Sequence, residues 1–320
     1  LSVKKKYIVS AIVPLHNSGN YIEETIQGIL HQSIPFDEII MIDGASTDNT
    51  VAIVKKYKKI KLIALKQDPE RIAKRNIAWR ASKGNIIAFI DSDLILVKDW
   101  LKEVLKGFDQ GHVAVVDRRA VYQPKTYIAK MNDHFFDLRF TDRYKPFTAW
   151  VVQRDVLEKI GGLDESAIGF EDINLGNAIY AAGYDIYFAQ KAIAYHKGEP
   201  TNFKTEMRRH FWFGSHALPY WKTRKPRGKQ LKVALFSFLT ALFFFQPFSA
   251  LGLSFLLYLY VFYKDIFYWK MKLKYLFVHP FIAVASEYAY AWGVVYSFIK
   301  GPMTHARSSD AAVAKNVRTQ

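Results

Sequence analysis

Two aspartates follow directly on an unbroken apolar segment. Residues Ile86–Ile90 are all apolar and favour β-structure, and Asp91-Ser92-Asp93 comes next. Such a strand is typical of a parallel sheet that helices cover on both faces, and its carboxyl end is where α/β proteins bind ligands. In extended backbone Asp91 and Asp93 would point to one side. Two carboxylates there suit Mg²⁺ or Mn²⁺ bridging a diphosphate, although a polar turn capped by aspartate would give the same local pattern.

A second acidic pair, Glu171-Asp172, precedes a helix predicted from Ile173 to Ala182. Acidic residues in the first turn of a helix interact favourably with its dipole, so this pair has a purely structural explanation. The alternative is catalytic, because a placed carboxylate can remove a proton from a reacting hydroxyl group.

The elements that must position these residues alternate regularly. Strands are predicted over residues 7–13, 38–42 and 61–65, followed by the strand that ends at Ile90. Helices are predicted to begin at Asn20 and at Asp68-Pro69-Glu70, where a cap and an early proline mark the start. Alternating strands and helices predict a doubly wound, mostly parallel α/β sheet.

Composition limits the classes of function. The chain of 320 residues contains no cysteine, which excludes disulfides, zinc–thiolate centres and a cysteine nucleophile. Its formal charge of +16 indicates an anionic partner. Much of the excess charge flanks hydrophobic segments, so anionic lipid is the expected partner and nucleic acid is not.

The composition changes sharply after residue 221. Val233–Tyr263 carries no charge over 31 residues and is interrupted only by Gln246-Pro247. One straight helix of that length would measure about 46 Å, against about 30 Å for the hydrocarbon core of a bilayer. A helical hairpin that turns at Gln246-Pro247 therefore fits better than a single span, and a buried helix of a soluble protein is the other interpretation. Tyr275–Ile299 is a weaker span, with an interfacial helix as its alternative.

These features predict three regions. Residues 1–221 form a catalytic domain, 222–300 a membrane-associated helical region, and 301–320 a basic tail. Both flanks of Val233–Tyr263 are rich in Lys and Arg, so the positive-inside rule places both on the cytoplasmic side of the cell membrane.

Three blocks of motifs together resemble the inverting family 2 glycosyltransferases of the GT-A fold, over about residues 7–215. The first block joins Ile12–Asn17 to Ile42–Asp48, the second runs from Ala73-Lys74-Arg75-Asn76 to Asp91-Ser92-Asp93, and the third comprises Gly161–Glu165, Glu171-Asp172 and His196. The chain also resembles the members of that family that carry hydrophobic C-terminal segments and build lipid-linked or exported glycans.

The resemblance implies a donor site. A UDP- or GDP-linked sugar would lie with its base in a pocket lined by the backbone of Pro14, Leu15 and Asn17. The resemblance gives Asp43 a contact with the base, Arg75 a place near the diphosphate, and Asp91 and Ser92 a place near the ribose or a metal-bound water.

The resemblance also implies the catalytic and metal residues. Asp93 would bind Mn²⁺ or Mg²⁺ directly, with Asp91 near the metal and His196 as a further ligand. Asp172 would be the general base, positioned by Glu171.

The sequence departs from the usual family pattern in three places. His16 stands where tyrosine is usual, Gly44-Ala45 replaces Asp-Gly, and the Gln-x-x-Arg-Trp motif of processive polysaccharide synthases is absent. The absence of that motif argues against processive polymerisation.

The resemblance leaves the acceptor open between two chemistries. A base at Asp172 favours a hydroxyl acceptor on a lipid-linked glycan, whereas a polyprenyl-phosphate sugar synthase would use a phosphate acceptor that needs little deprotonation. A membrane-anchored protein that binds nucleotide sugars without transferring them is a further alternative. The oligomeric state is left open.

Overall fold

The computed structural model describes residues 7–138, 148–218, 221 and 227–301. Its contacts divide the chain into two compact units, Leu1–Tyr122 with Phe140–Lys197 and Gln123–Arg139 with Gly198–Gln320. The division falls at Lys197, earlier than the boundary expected near residue 221, and 123–139 joins the second unit. The expected basic tail, apart from Gly301, lies outside the described residues.

The regular elements are as follows, in chain order. The strands are β1 (Val9–Leu15), β2 (Glu38–Gly44), β3 (Lys61–Leu65), β4 (Ile86–Phe89), β5 (Leu94–Leu96), β6 (Ala114–Val121), β7 (Trp150–Gln153) and β8 (Ile186–His196). The helices are α1 (Ile22–Leu30), α2 (Thr50–Val54), α3 (Arg71–Arg80), α4 (Trp100–Asp109), α5 (Tyr127–Leu138), α6 (Arg154–Lys159), α7 (Glu171–Ala181), α8 (Phe203–Ser215), α9 (Arg227–Phe245), α10 (Pro247–Phe267), α11 (Leu273–Leu276) and α12 (Val278–Lys300).

The first unit is built on one eight-stranded sheet, ordered β3-β2-β1-β4-β7-β6-β8-β5. The pairs among β3, β2, β1 and β4 are all parallel, as expected from the alternating pattern. The rest is mixed, because β7 runs antiparallel to both β4 and β6, and β5 runs antiparallel to β8. Strands β6 and β8 pair in parallel, so four of the seven strand pairs described in this sheet are parallel. The antiparallel pairs all involve strands after β4, where the strand–helix repeat ends.

Strand β4 is buried on both faces. Ile86, Ala88 and Ile90 pack into one apolar cluster with residues of α1 and α4. Ile87 and Phe89 pack into another, with residues of α3 and α7. This two-sided burial explains the unbroken apolar run that precedes Asp91, because alternate residues of a strand face opposite sides of the sheet.

The second unit is helical, and two glycines allow α8 and α12 to approach closely. A Cβ atom at Gly214 would lie 1.9 Å from the carbonyl oxygen of Tyr290, and one at Gly293 would lie 2.0 Å from that of Phe211. Real Cβ atoms do not come so near, so the backbones touch only because both residues lack a side chain.

Helices α9 and α10 form the expected hairpin. They are separated by Gln246 alone, and Pro247 occupies the first turn of α10, where its missing N–H costs nothing. Phe236 and Leu239 of α9 pack in the same apolar cluster as Leu257 of α10, so the chain folds back at the break.

Among the described helices, Pro247–Phe267 is long and apolar enough to cross a membrane, and Gln230–Phe243 is a shorter apolar stretch.

We predict that Gly293→Ala destabilises the protein by about 1–3 kcal/mol, because the added methyl group overpacks the α8–α12 contact. The measurement is chemical unfolding of the full chain in detergent. Gly252→Ala in α10 is the matched control, since a Cβ there meets nothing within 4 Å, and it should be neutral or slightly stabilising. Equal effects of the two changes would contradict the close approach.

Candidate active site

The loops after β1 and β2 are bonded to each other. Asn17 donates its backbone N–H to Ser46 Oγ over 2.8 Å, and its Oδ1 accepts from the backbone N–H of Thr47 at 2.9 Å. Asp43 is 2% exposed and accepts from Ser46 N at 3.0 Å and from Ser46 Oγ at 2.5 Å. Pro14 and Leu15 end β1 beside them, so the predicted donor residues of the first block do converge at one sheet edge.

His16 and Gly44, which depart from the usual family pattern in the first block, both lie against the ion pair of Asp68 and Lys74. His16 Nδ1 lies 2.7 Å from the carbonyl oxygen of Gly44 and 3.2 Å from Asp68 Oδ2. Asp68 is ion-paired with Lys74, whose ammonium also donates to the carbonyl oxygen of Leu15 at 3.0 Å. A Cβ at position 44 would lie 1.9 Å from Asp68 Oδ1, so glycine is needed to admit this ion pair.

Asp68 therefore does not cap α3, as the sequence had suggested. The N-cap position is Glu70, and it makes no side-chain cap hydrogen bond. The carboxylate of Asp68 binds a buried ammonium instead, because Lys74 is only 4% exposed and requires a counter-charge.

Asp91 and Asp93 do not lie in extended backbone and do not share a partner. The chain turns after β4, with Leu94 N donating to the carbonyl oxygen of Asp91 at 3.3 Å. The expectation of extended backbone is thus wrong here, and the two carboxylates have different partners. Asp91 Oδ1 accepts from Arg75 Nη2 at 2.6 Å, while Asp93 Oδ2 lies 3.7 Å from His196 Nε2.

Ser92 holds this turn against the start of α1. It is 2% exposed, and its Oγ accepts from Ser18 Oγ at 2.9 Å. Its carbonyl oxygen accepts from Thr25 Oγ1 at 2.8 Å. With its polar groups engaged inside the protein, Ser92 positions the two aspartates on either side of it.

Asp93 and His196 are the two side chains that could hold a divalent cation. The antiparallel pairing of Leu94 with His196 brings them together. The carboxylate suits Mn²⁺ or Mg²⁺, and imidazole is a common metal ligand. Asp91 is bonded to Arg75 instead, and the described residues contain no group of three or more acidic or histidine side chains placed to hold a metal. A cation bound through two protein ligands keeps positions for water and phosphate oxygens, which is usual for Mg²⁺.

Two arginines and two carboxylates form an ion-pair cluster between α3 and α7. Arg71 Nη2 donates to Glu171 Oε1, and Arg71 Nη1 lies 3.7 Å from Asp91 Oδ2. Arg75 is bonded to Asp91 and has its Nη1 3.9 Å from Glu171 Oε1. Burial by itself would raise the pKa of Glu171, but the charges of Arg71 and Arg75 outweigh burial and hold that pKa below its usual value.

The pKa of Asp172 is shifted in the opposite direction from that of Glu171. Burial raises the pKa of its carboxyl group to about 6, and the negative charge of the adjacent Glu171 adds to the increase. Arg75 and Arg71 oppose the shift without cancelling it. A carboxylate with a pKa near 6 is a better proton acceptor at neutral pH than an ordinary aspartate.

Asn76 joins the second motif block to the third. Its Nδ2 donates to the carbonyl oxygen of Leu163 at 2.8 Å and to Glu165 Oε1 at 2.8 Å. Its Oδ1 accepts from Leu163 N at 3.1 Å. Gly162 has a positive φ of 89°, and a Cβ there would lie 2.9 Å from Asn76 Oδ1. The glycines before Leu163 therefore let the loop that leads to α7 lie against α3.

Sequence analysis missed three residues of this site, namely Arg71, Lys74 and Asp68. Arg71 lies four positions before Arg75, and residues so spaced share one face of a helix. That spacing was the available signal for Arg71. The Asp68–Lys74 pair had no comparable signal, because Asp68 was explained as a helix cap and Lys74 stood in the second motif block without a role of its own.

The chain matches the family model described as glycosyl transferase family group 2 over residues 86–296 and that of glycosyl transferase family 2 over residues 10–161. A protein of Bacillus subtilis named for teichuronic acid biosynthesis, TuaG, is 37% identical over 105 residues, which are 32% of this chain and 42% of TuaG. The O-antigen chain rhamnosyltransferase RfbN of Salmonella typhimurium is 25% identical over 237 residues, which are 68% of this chain and 74% of RfbN. The matched part of TuaG is thus less than half of that relative.

A solved structure supports the same fold. The mannosyltransferase PcManGT from Pyrobaculum calidifontis, in complex with GDP-Man and Mn²⁺, superposes with a TM-score of 0.53 at 16% identity, covering 98% of this chain and 81% of that one. Together with the mixed sheet, these matches define a GT-A glycosyltransferase fold. The chain belongs to the family 2 glycosyltransferases and is a sugar-transferring enzyme.

Proposed function

We propose that this glycosyltransferase moves a sugar from a UDP- or GDP-linked donor to a hydroxyl group of a membrane-associated, lipid-linked glycan, with inversion at the sugar carbon and with Mn²⁺ or Mg²⁺. The observation that carries the proposal is the position of Asp172, a half-buried carboxylate in the first turn of α7 directly after Glu171, which the arginines of α3 hold in the ion-pair cluster. Burial also raises the pKa of Asp172 to about 6, as a general base requires.

The donor would lie across the carboxyl ends of β1, β2 and β4. Asp43 and the backbone from Pro14 to Asn17 would contact its base, and Asp91 and Ser92 would lie near its ribose. PcManGT, which has a similar fold, was solved in complex with GDP-Man, and this supports a nucleotide-linked donor. A divalent cation held by Asp93 and His196 would neutralise charge on the leaving diphosphate.

The acceptor oxygen would attack the anomeric carbon from the face opposite the diphosphate. The bond from that oxygen to the sugar forms as the bond to the diphosphate breaks, and the hydroxyl proton passes to Asp172. Direct displacement requires one base and no carboxylate nucleophile, which agrees with Glu171 being bonded to Arg71.

A hydroxyl acceptor is favoured over a phosphate. A phosphate monoester is already ionised at neutral pH and has little need of a base with a raised pKa. RfbN acts on the O-antigen chain by its name, which supports a glycan acceptor here. The apolar length of Pro247–Phe267 supports an acceptor at the membrane.

We predict that Asp172→Asn lowers transfer by a hundredfold or more and leaves donor affinity nearly unchanged, because the change removes basicity and keeps shape. In the wild type kcat/KM should fall about tenfold per pH unit below pH 6, since protonation disables a base whose pKa is about 6. Steady-state kinetics and calorimetry measure both effects. Transfer at the wild-type rate in the variant would assign the base to another residue.

We predict that Asp93→Ala abolishes the Mn²⁺-dependent part of donor binding. The control is Glu103→Ala, which removes a carboxylate paired with Lys106 on α4 and should bind the donor as the wild type does. Calorimetry with Mn²⁺ and with EDTA separates the metal-dependent part. An unchanged difference between the two conditions would exclude Asp93 as a metal ligand.

The catalytic unit and both flanks of the α9–α10 hairpin are proposed to lie on the cytoplasmic side. A single cysteine in place of the exposed Lys272 should resist a membrane-impermeant thiol reagent in intact cells and react after lysis. Lys58→Cys, on the exposed surface of the first unit, should behave in the same way. Labelling of position 272 in intact cells, with position 58 protected, would mean that the hydrophobic segment crosses the membrane once.

A further inference from the structure

Two arginines one helical turn apart on α3 have different surroundings. The side chain of Arg75 is 4% exposed, and that of Arg71 is 31% exposed. Arg75 donates Nη2 to Asp91 over 2.6 Å, and its Nε is buried, with no hydrogen-bond partner among the described residues. A ligand in the proposed donor cleft, at the carboxyl ends of β1, β2 and β4, would therefore reach the more exposed Arg71 more easily than Arg75.

Arg71 also has donor capacity to spare. Its Nη2 is bonded to Glu171, whereas its Nη1 lies 3.7 Å from Asp91, which is beyond hydrogen-bond distance. A guanidinium group offers five N–H donors in a planar fork that matches a phosphate. The long Arg71–Asp91 contact is the one that an incoming anion could replace without breaking a hydrogen bond.

Removing Arg75 from Asp91 would have a different consequence. The four charges of the cluster balance, and Arg75 and Glu171 are almost fully buried. An arginine that left Asp91 to bind a ligand would leave a short ion pair broken in a largely buried site, which is strongly unfavourable. The ion pair with Arg75 thus fixes the position of Asp91 relative to α3, and Arg75 is poorly placed to contact a ligand directly.

We propose that Arg71 is the residue of this cleft that binds a phosphate group directly, and that Arg75 positions Asp91 without touching the ligand. The inference rests on the proposed function, because the phosphate is that of a substrate. Two sources share this chemistry, the diphosphate of the donor and the phosphate of an isoprenyl-phosphate acceptor. The position of Arg71 beside Asp91 favours the donor.

The test is calorimetric titration of the full chain in detergent, with EDTA present so that cation binding does not contribute. UDP, GDP, the monophosphates UMP and GMP, and geranyl phosphate are each titrated into the wild type, Arg71→Ala, Arg71→Lys and Arg80→Ala. Arg80 is an exposed arginine at the end of the same helix and serves as the matched control. Thermal unfolding midpoints show that each variant is folded.

We expect Arg71→Ala to weaken UDP or GDP binding at least tenfold and to change monophosphate binding much less. Arg71→Lys should restore part of the affinity, because it keeps the charge and loses the fork. Arg80→Ala should match the wild type. Arg75→Ala is titrated as a fifth protein and should lower the unfolding midpoint, because it removes the hydrogen-bonded partner of Asp91. It should weaken UDP or GDP binding less than Arg71→Ala does, and a loss of affinity larger than that of Arg71→Ala would contradict the assignment of Arg75 as a positioning residue.

The outcomes separate the two proposals. A loss confined to geranyl phosphate would support the phosphate site and contradict the hydroxyl acceptor. Unchanged affinities in a folded Arg71→Ala variant would overturn the role of Arg71 alone, and so would an equal loss for monophosphates and diphosphates. If the wild type binds none of these compounds in EDTA, the titrations are repeated with Mn²⁺, and a wild type that binds none of them under either condition would overturn both proposals.

Discussion

The ion-pair cluster of Arg71, Arg75, Asp91 and Glu171 is the interaction on which the active site depends. It joins α3 to α7 across 100 residues of sequence and ties both to the turn after β4. Buried charges are tolerated only when paired, so each member requires the others. Asp172 is the next residue of α7, so its position follows from the placement of Glu171, while its pKa is raised first by burial and then by the negative charge of Glu171.

The turn after β4 separates two tasks that the sequence had seemed to combine. Asp91 faces the arginines of α3, while Asp93 faces His196 at the end of β8. Ser92 lies between them and is fixed to the start of α1 through Ser18 and Thr25. Asp91 thus pairs with the arginines of the ion-pair cluster, whereas Asp93 lies beside His196 and is the proposed metal ligand.

Local patterns predicted much of this molecule. The unbroken apolar run predicted β4 with both faces buried, and Gln246-Pro247 predicted the break between α9 and α10. Contacts between segments that are distant in the sequence were harder to predict from local patterns. Asp68 had the sequence context of a helix cap, and only the fold places it between His16 and Lys74. Strand β7 likewise runs antiparallel to both of its neighbours, β4 and β6. The alternation of apolar residues within a strand is the same in either direction, so the sequence of β7 does not indicate its direction.

The two contact units do not follow the change in composition at residue 221. Hydrophobicity rises only after residue 221, yet the second unit already includes Gly198 onward together with Gln123–Arg139. Helix α8 is polar enough to resemble part of the catalytic domain, but Gly214 lets its backbone touch α12. A contact made by the absence of side chains has no hydrophobic signature in the sequence, so composition alone could not find it.

The two hydrophobic segments of the second unit differ in where their apolar side chains point. In α12, Ile282, Tyr290 and Val294 are each no more than 8% exposed, so much of this helix is covered by protein. The imidazole of His279 in this helix is hydrogen-bonded to Asp265 Oδ2 over 2.8 Å.

Around the α9–α10 break, by contrast, large apolar side chains are exposed, with Phe245 84% and Phe248 89% exposed. Apolar surface left in water costs about 25 cal/mol per Å², and α9 and α10 present such surface at many positions. The hairpin, rather than the later segment, is therefore the physical ground for the proposed membrane association, and the weaker hydropathy of Tyr275–Ile299 reflects a helix that packs against its own protein.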